Sequence, residues 1–179
     1  MRIATIGSGN VGGGLGRLWE GAGHEVQAIG REGGDLGDAD AVLLAVPSGA
    51  IADALDGVSG FEGKTLIDAT NLIQGERPNG AESLAAYVKQ QTGANVVKAF
   101  NTVFARLYDQ IGEQRVRPSC LFCGDDAAKT VATQLIGDAG YEPVDAGGLE
   151  NARLLEEFVK LLFAADGPVF YRIAKPGEV

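Results

Sequence analysis

Apolar residues along this chain come in short blocks whose spacing switches between a strand period and a helix period. Arg2-Ile3-Ala4-Thr5-Ile6 is rich in β-branched residues and reads as a buried strand. Past a glycine-rich bend, Leu15, Leu18 and Trp19 fall on one face of a helix, which Gly21-Ala22-Gly23 ends. Glu25 to Ile29 predicts a second strand. The stretch Asp40 to Val46 is apolar throughout after its first residue, as suits a parallel strand buried on both faces, and Pro47 ends it. Further strands are expected at Lys64 to Ala69, Asn95 to Ala99, Ser119 to Cys123 and Glu142 to Asp145. Helices are expected at Ser48 to Leu55, Ala81 to Gln91, Asp125 to Ala139 and Leu149 to Ala165. A shorter one carries Phe104, Leu107, Tyr108 and Ile111.

Strands that alternate with helices to the end of the chain predict a doubly wound, Rossmann-like α/β fold with a mostly parallel sheet. One domain spanning 1–179 is expected, with 149–179 as an apolar helix and tail. One interval breaks the rhythm. Only Arg31 to Asp40 separates the second strand from the next apolar run, too few residues for a helix and a strand. The third strand is therefore expected to be missing, with a short helical turn at Leu36 to Ala39 as the bridge.

The bend after the first strand is Gly7-Ser8-Gly9-Asn10-Val11-Gly12. Strand, G-x-G-x-x-G and helix in that order form the dinucleotide fingerprint. Gly7 serves the tight turn, Gly9 lets a pyrophosphate approach, and Gly12 lets helix and strand pack closely. Gly13, Gly14 and Gly16 weaken the helix, which implies that a ligand or another backbone lies close to it. The second strand ends Gly30-Arg31-Glu32. An NAD site usually has a carboxylate here and an NADP site an Arg for the 2′-phosphate, so Arg31 favours NADP. Glu32 keeps NAD open through a one-residue shift, and Arg31 as a solvated loop charge is the plain alternative.

Composition narrows the partners. A net charge of −9 over 179 residues argues against a nucleic-acid surface or an anionic membrane. Apolar runs of six or seven residues are too short to span a bilayer. Met1 leads directly into a strand, so no signal peptide is expected and the cytoplasm is the default location. Cys120 and Cys123 are spaced C-x-x-C but lie on a predicted strand, where residues three apart face opposite ways. With one His in the chain, further zinc ligands are missing, and no metal is expected. Two small core residues is the expected role. His24 reads as a turn residue.

Several strings then occur together: the fingerprint, D-A-T-N at 68–71, V-K-A-F-N-T at 97–102, G-D-D at 124–126 and D-A-G-G-L-E-N-A-R-L-L-E at 145–156. In these places the chain resembles the NADP-dependent oxidoreductases typified by NADPH:F420 oxidoreductase, and the cytoplasmic domains of six-transmembrane metalloreductases. The resemblance implies that Gly7, Ser8, Gly9, Asn10, Val11 and Gly12 hold the pyrophosphate of NADP and that Arg31 holds the 2′-phosphate. It implies that Val46, Pro47 and Ser48 flank the central ribose. Ala69, Thr70 and Asn71, with the Ala99-Phe100-Asn101 turn, would line the nicotinamide end. The chain departs from the family at Gly30, where a phosphate-binding Ser usually stands, and in the shortened interval after the second strand.

Hydride transfer to a flavin-like ring needs proximity and orientation more than a general acid. The candidate cofactor loops offer no Lys, His or Tyr, so no catalytic residue is expected. Lys98 reads as a surface or packing charge, and Asp68 as a carboxylate bonded to nearby backbone N–H groups. With no room for a second domain, a small-molecule acceptor of the deazaflavin or flavin class would bind in the same crevice or between subunits. Tyr87, Phe100 and Phe104 suit either a ring platform or the core. The last helix and Pro168-Val169-Phe170-Tyr171 suit either packing onto the chain's own sheet or a homodimer contact. Two functions stay open: an NADPH-dependent reductase, or a non-catalytic NADP(H) sensor.

Overall fold

A computed structural model describes residues 1–165, 168–174 and 176–177. The strands are β1 (Arg2–Ile6), β2 (Glu25–Ile29), β3 (Gly34–Asp35), β4 (Ala41–Leu44), β5 (Val58–Ser59), β6 (Thr65–Asp68), β7 (Asn95–Lys98), β8 (Ser119–Gly124) and β9 (Glu142–Asp145). The helices are α1 (Asn10–Gly21), α2 (Ile51–Asp56), α3 (Leu84–Thr92), α4 (Asp126–Asp138) and α5 (Ala152–Ala164). Seven strands form one sheet in the order β2-β1-β4-β6-β7-β8-β9. Its neighbours are parallel except β7 and β8, which pair antiparallel. The expected doubly wound α/β fold is observed, and β2 is an edge of the sheet because no third strand joins it.

Period-two alternation divides the core into two layers. Val42, Leu44, Leu66 and Val96 face α2, α3 and α5. Ala41, Leu43, Ile67 and Val97 face α1 and α4. Cys123 belongs to the first layer and Cys120 to the second, as their spacing on a strand predicts. Both thiols are free, and burial pushes each up to about 12, so they stay protonated and unreactive at neutral pH.

Two details correct the sequence reading. Leu36 to Ala39 is not a helical turn. Gly33, Gly34 and Gly37 all take positive φ, which a helix excludes, and β3 pairs with β5 in a separate two-strand ribbon. Leu36 is instead a buried anchor, 4% exposed. The segment after Phe104 is a tight 3-10 helix, Ala105–Glu113, and it carries Tyr108 onto α1. A Cβ at Gly14 would lie 2.5 Å from the Tyr108 ring, so the neighbour that demands this glycine is an aromatic side chain, neither ligand nor backbone. The tail after α5 packs on its own sheet: the Tyr171 carbonyl accepts from Ser119 N (2.8 Å), and its ring meets Phe158 edge-on. Within the C-terminal segment, Asp166, Gly167, Lys175, Glu178 and Val179 lie outside the described residues.

Candidate nucleotide-binding site

Strand register builds the site. Ile6, Leu44, Asp68 and Lys98 stand in one row across β1, β4, β6 and β7. The row continues one residue further, since Ala45 N donates to Ile6 O (2.9 Å), Ala69 N to Leu44 O (3.0 Å) and Ala99 N to Asp68 O (3.2 Å). The loops at Gly7–Gly12, 45–48, 69–71 and 99–101 thus leave the sheet side by side at its carboxyl edge. That edge is where open α/β sheets bind ligands.

The first loop is shaped for an anion. Gly7 takes φ +99°, and a Cβ there would collide with the Ala45 carbonyl. A Cβ on Gly12 would collide with the Gly7 carbonyl, so the first turn of α1 rests directly on the bend. Around Gly9 a Cβ would meet nothing within 4 Å, which leaves an open approach to the backbone. No side chain caps α1, and its first turn holds no acidic residue. Its N–H groups and positive dipole end therefore remain available to a phosphate.

A cleft of ≈ 550 Å³ opens beside this turn, a size that suits a nucleotide. Gly7, Ser8, Gly9, Arg31, Val46 and Pro47, six of the expected cofactor contacts, line it. Asn10, Val11 and Gly12 start α1 directly behind, and Ser48 follows Pro47. The cleft is also lined by Ile29, Gly33, Ala50, Asp53, Ala54 and Gly57, which sequence reasoning did not single out. Gly33 and Gly57 touch so closely that a Cβ on Gly33 would overlap the Gly57 carbonyl. Glycines in that unusual run were the available signal.

The other expected contacts sit further along the edge and are mostly buried. Ala69, Thr70, Ala99, Phe100 and Asn101 are each under a tenth exposed, and Asn71 is half-buried. Asn71 Nδ2 donates to Asn101 O (2.7 Å), and Asn101 Nδ2 donates to Asn71 Oδ1 (3.0 Å) and Leu155 O (3.1 Å). Phe100 takes φ +62°, and its ring points into the core, edge-on to Trp19 and Tyr141. Only its backbone remains for the site. Tyr87 is likewise core, and Phe104 packs on Phe163, so none of the three forms a free ring platform.

Beneath this end lies a charge network that the sequence reading missed. Lys98, Asp68 and Glu156 are buried, so Lys98 is a packing charge and not a surface one. Lys98 Nζ donates to Asp68 Oδ2 (2.9 Å) and Thr70 O (2.6 Å) and lies 3.4 Å from Glu156 Oε1. Asp68 Oδ1 accepts from Thr70 N, the backbone bond expected of it. Glu156 also accepts from Leu84 N (2.7 Å) and Arg77 Nε (3.2 Å). Two cations thus face the two buried carboxylates, and Arg77 Nη2 also reaches the exposed Glu157 Oε1 (3.3 Å). One signal was present: Glu156 shares a helix face with Ala152, Leu155 and Val159, so a carboxylate stands within an apolar stripe. Among the described residues, no group of His, Cys, Asp and Glu is placed to hold a metal ion.

No protein-family model matches the chain. It is 32% identical over 139 residues to the F420-dependent NADP reductase of Methanothermobacter thermautotrophicus, covering 69% of this chain and 59% of that protein. The enzyme of the same name from Methanothermobacter marburgensis is 33% identical over 144 residues, covering 70% and 62%. The chain is a relative of the F420-dependent NADP reductases. It spans about three fifths of their length. The metalloreductase STEAP3 of Rattus norvegicus is 35% identical over 96 residues, 52% of this chain and 20% of that protein. Among solved structures, a candidate F420-dependent NADP reductase from Arthrobacter sp. FB24 has a TM-score of 0.79 at 23% identity, covering 98% of this chain and 100% of that one. The 3-hydroxyisobutyrate dehydrogenase of Mycobacterium tuberculosis has a TM-score of 0.63 at 14% identity, covering 91% and 60%. These two likenesses support the fold.

Proposed function

We propose that this chain binds NADP(H) along the carboxyl edge of its sheet and passes a hydride between the nicotinamide and a deazaflavin or flavin-like acceptor held in the same crevice. The observation that carries this is the row of four strand ends in register, with an uncapped helix N-terminus at one end and the Asn71–Asn101 pair at the other. The relatives' name supports it. The residues present fit the nucleotide: glycines shape the bend, and Arg31 lines the adjoining cleft.

NADPH, when bound, supplies the hydride. The protein binds and orients. The α1 N-terminus and the backbone at Ser8 to Gly12 hold the diphosphate, and Arg31 the 2′-phosphate. Val46, Pro47 and Ser48 flank the central ribose. Asn71, Ala69, Thr70 and the Ala99-Phe100-Asn101 backbone bound the nicotinamide end. The two asparagine amides are neutral. Lys98 and Asp68 beneath them are committed to each other, so neither is a free proton donor. Ring-to-ring transfer suits such a site better than carbonyl reduction, which draws on a general acid.

We treat residues 1–179 as one nucleotide-binding domain and place it in the cytoplasm. The acidic composition and the two reduced cysteines suit that compartment. Among the described residues no helix is long and apolar enough to cross a membrane. For the homodimer, the support is α5, whose outer face exposes Leu154 (65%) and Leu161 (69%). Light scattering should give twice the single-chain mass of 18.5 kDa, and a monomer at working concentration overturns the dimer.

The test of activity is NADPH oxidation with F420, FMN and FAD as acceptors. Turnover with a deazaflavin or flavin supports the reading. Tight NADPH binding with no turnover on any acceptor would leave a nucleotide sensor in its place.

A further inference from the structure

Arg31 and Asp53 line the same cleft from two separate walls, one in the loop after β2 and the other on α2. Both are exposed. Neither makes an ion pair or side-chain hydrogen bond with another described residue, and they do not pair with each other. A cation and a carboxylate that share a pocket without meeting suit a ligand that is anionic at one point and offers a hydrogen-bond donor at another. Their spacing is held by local structure. The β3–β5 ribbon joins the two walls through Gly34 N to Gly57 O (2.9 Å), Leu36 N to Ser59 O (3.0 Å) and Ser59 Oγ to Asp35 Oδ2 (2.6 Å). The same cleft is lined by Ile29, Ala50 and Ala54, apolar groups suited to the faces of a flat ring.

We infer that Asp53 reads the base of the nucleotide: its carboxylate accepts a hydrogen bond from the exocyclic 6-amino group of adenine. The inference rests on the cleft being the adenosine end of an NADP(H) site. It adds to that reading a residue that selects adenine. A 6-oxo purine would turn an oxygen lone pair toward the carboxylate and repel it, whereas the 6-amino group donates. The bond is charge-assisted but solvent-exposed, so a preference of about tenfold is expected.

The test measures dissociation constants of NADPH and reduced nicotinamide hypoxanthine dinucleotide phosphate by calorimetry with the full chain. The wild type should prefer NADPH by about tenfold, and Asp53→Ala should bring the ratio close to one. Arg31→Ala should weaken both nucleotides and leave the ratio intact. A ratio unmoved by Asp53→Ala overturns the inference while the NADP(H) reading stands. So does tighter NADPH binding in Asp53→Ala, which would make the carboxylate a repeller of the 2′-phosphate. Weaker NADH binding with unchanged NADPH binding would assign it to the ribose hydroxyl, and also overturns the inference. If the wild type binds neither nucleotide, the reading of the cleft falls and the inference falls with it.

Discussion

Glu156→Gln isolates one charge without changing shape. The amide oxygen can still accept from Leu84 N, so the backbone bond survives, but Lys98 is left with Asp68 and Arg77 with the exposed Glu157. At 3.4 Å and an effective dielectric of about 20, Lys98 and Glu156 attract by about 5 kcal/mol before desolvation is subtracted. Removing the carboxylate also removes its own desolvation cost, and Arg77 can turn toward solvent because its side chain is 16% exposed. The expected net loss of stability is about 3 kcal/mol, the lower end for breaking a buried pair. Urea unfolding followed by Trp19 fluorescence reads it, since Trp19 is the only tryptophan and is fully buried. The midpoint should fall with the slope unchanged. Lys98→Met should cost a similar amount, and the double variant clearly less than the sum. A Glu156→Gln loss below about 1 kcal/mol, or strict additivity of the two changes, would refute the claim that these charges stabilise one another.

Arg31→Ala should weaken NADPH binding by about tenfold to a hundredfold while leaving NADH binding and the unfolding midpoint unchanged, because only the 2′-phosphate loses its fork. Equal weakening of both nucleotides by direct titration would refute the 2′-phosphate assignment. Gly9→Ala and Gly12→Ala should part company. The first meets nothing within 4 Å, so it should fold within about 1 kcal/mol of wild type yet lose NADPH binding; the second drives a methyl into the Gly7 carbonyl and should lose stability by about 3 kcal/mol or more. Paired denaturation and binding measurements on both variants check this.

The fold was legible where apolar runs are continuous. Ala41–Leu44 and Thr65–Asp68 are buried on both faces, and the sequence there admits little but a central parallel strand. The turn from β1 into α1 was legible because backbone sterics demand glycine at Gly7 and Gly12, which leaves a mark in the sequence. Contacts between distant side chains leave no such mark. Glu156 meets Lys98 and Leu84 across more than fifty residues, and a carboxylate on an apolar helix reads as an outward charge until the neighbour is known. Gly14 signalled a close neighbour without naming Tyr108. Nothing in the sequence marked Asp53, and only the shared cleft sets it beside Arg31.

The missing third strand changes how the adenosine end is held. In a sheet that continued past β2, hydrogen bonds to the next strand would fix the loop that carries Arg31. Here β2 is an edge, and the loop leaves it through Gly30 with no strand beyond. The β3–β5 ribbon takes over that task from the other side, fastening residues 33–36 to the end of α2 and the strand after it. Gly33 lies against Gly57 with no room for a side chain on Gly33, so the two walls approach as closely as backbones allow. Leu36, buried beneath, anchors the ribbon to the core. A clamp thus stands where a further strand could have been, and it joins the segment that bears the cation to the one that bears the carboxylate. The interval too short for a helix and a strand is what sets the width of the cleft.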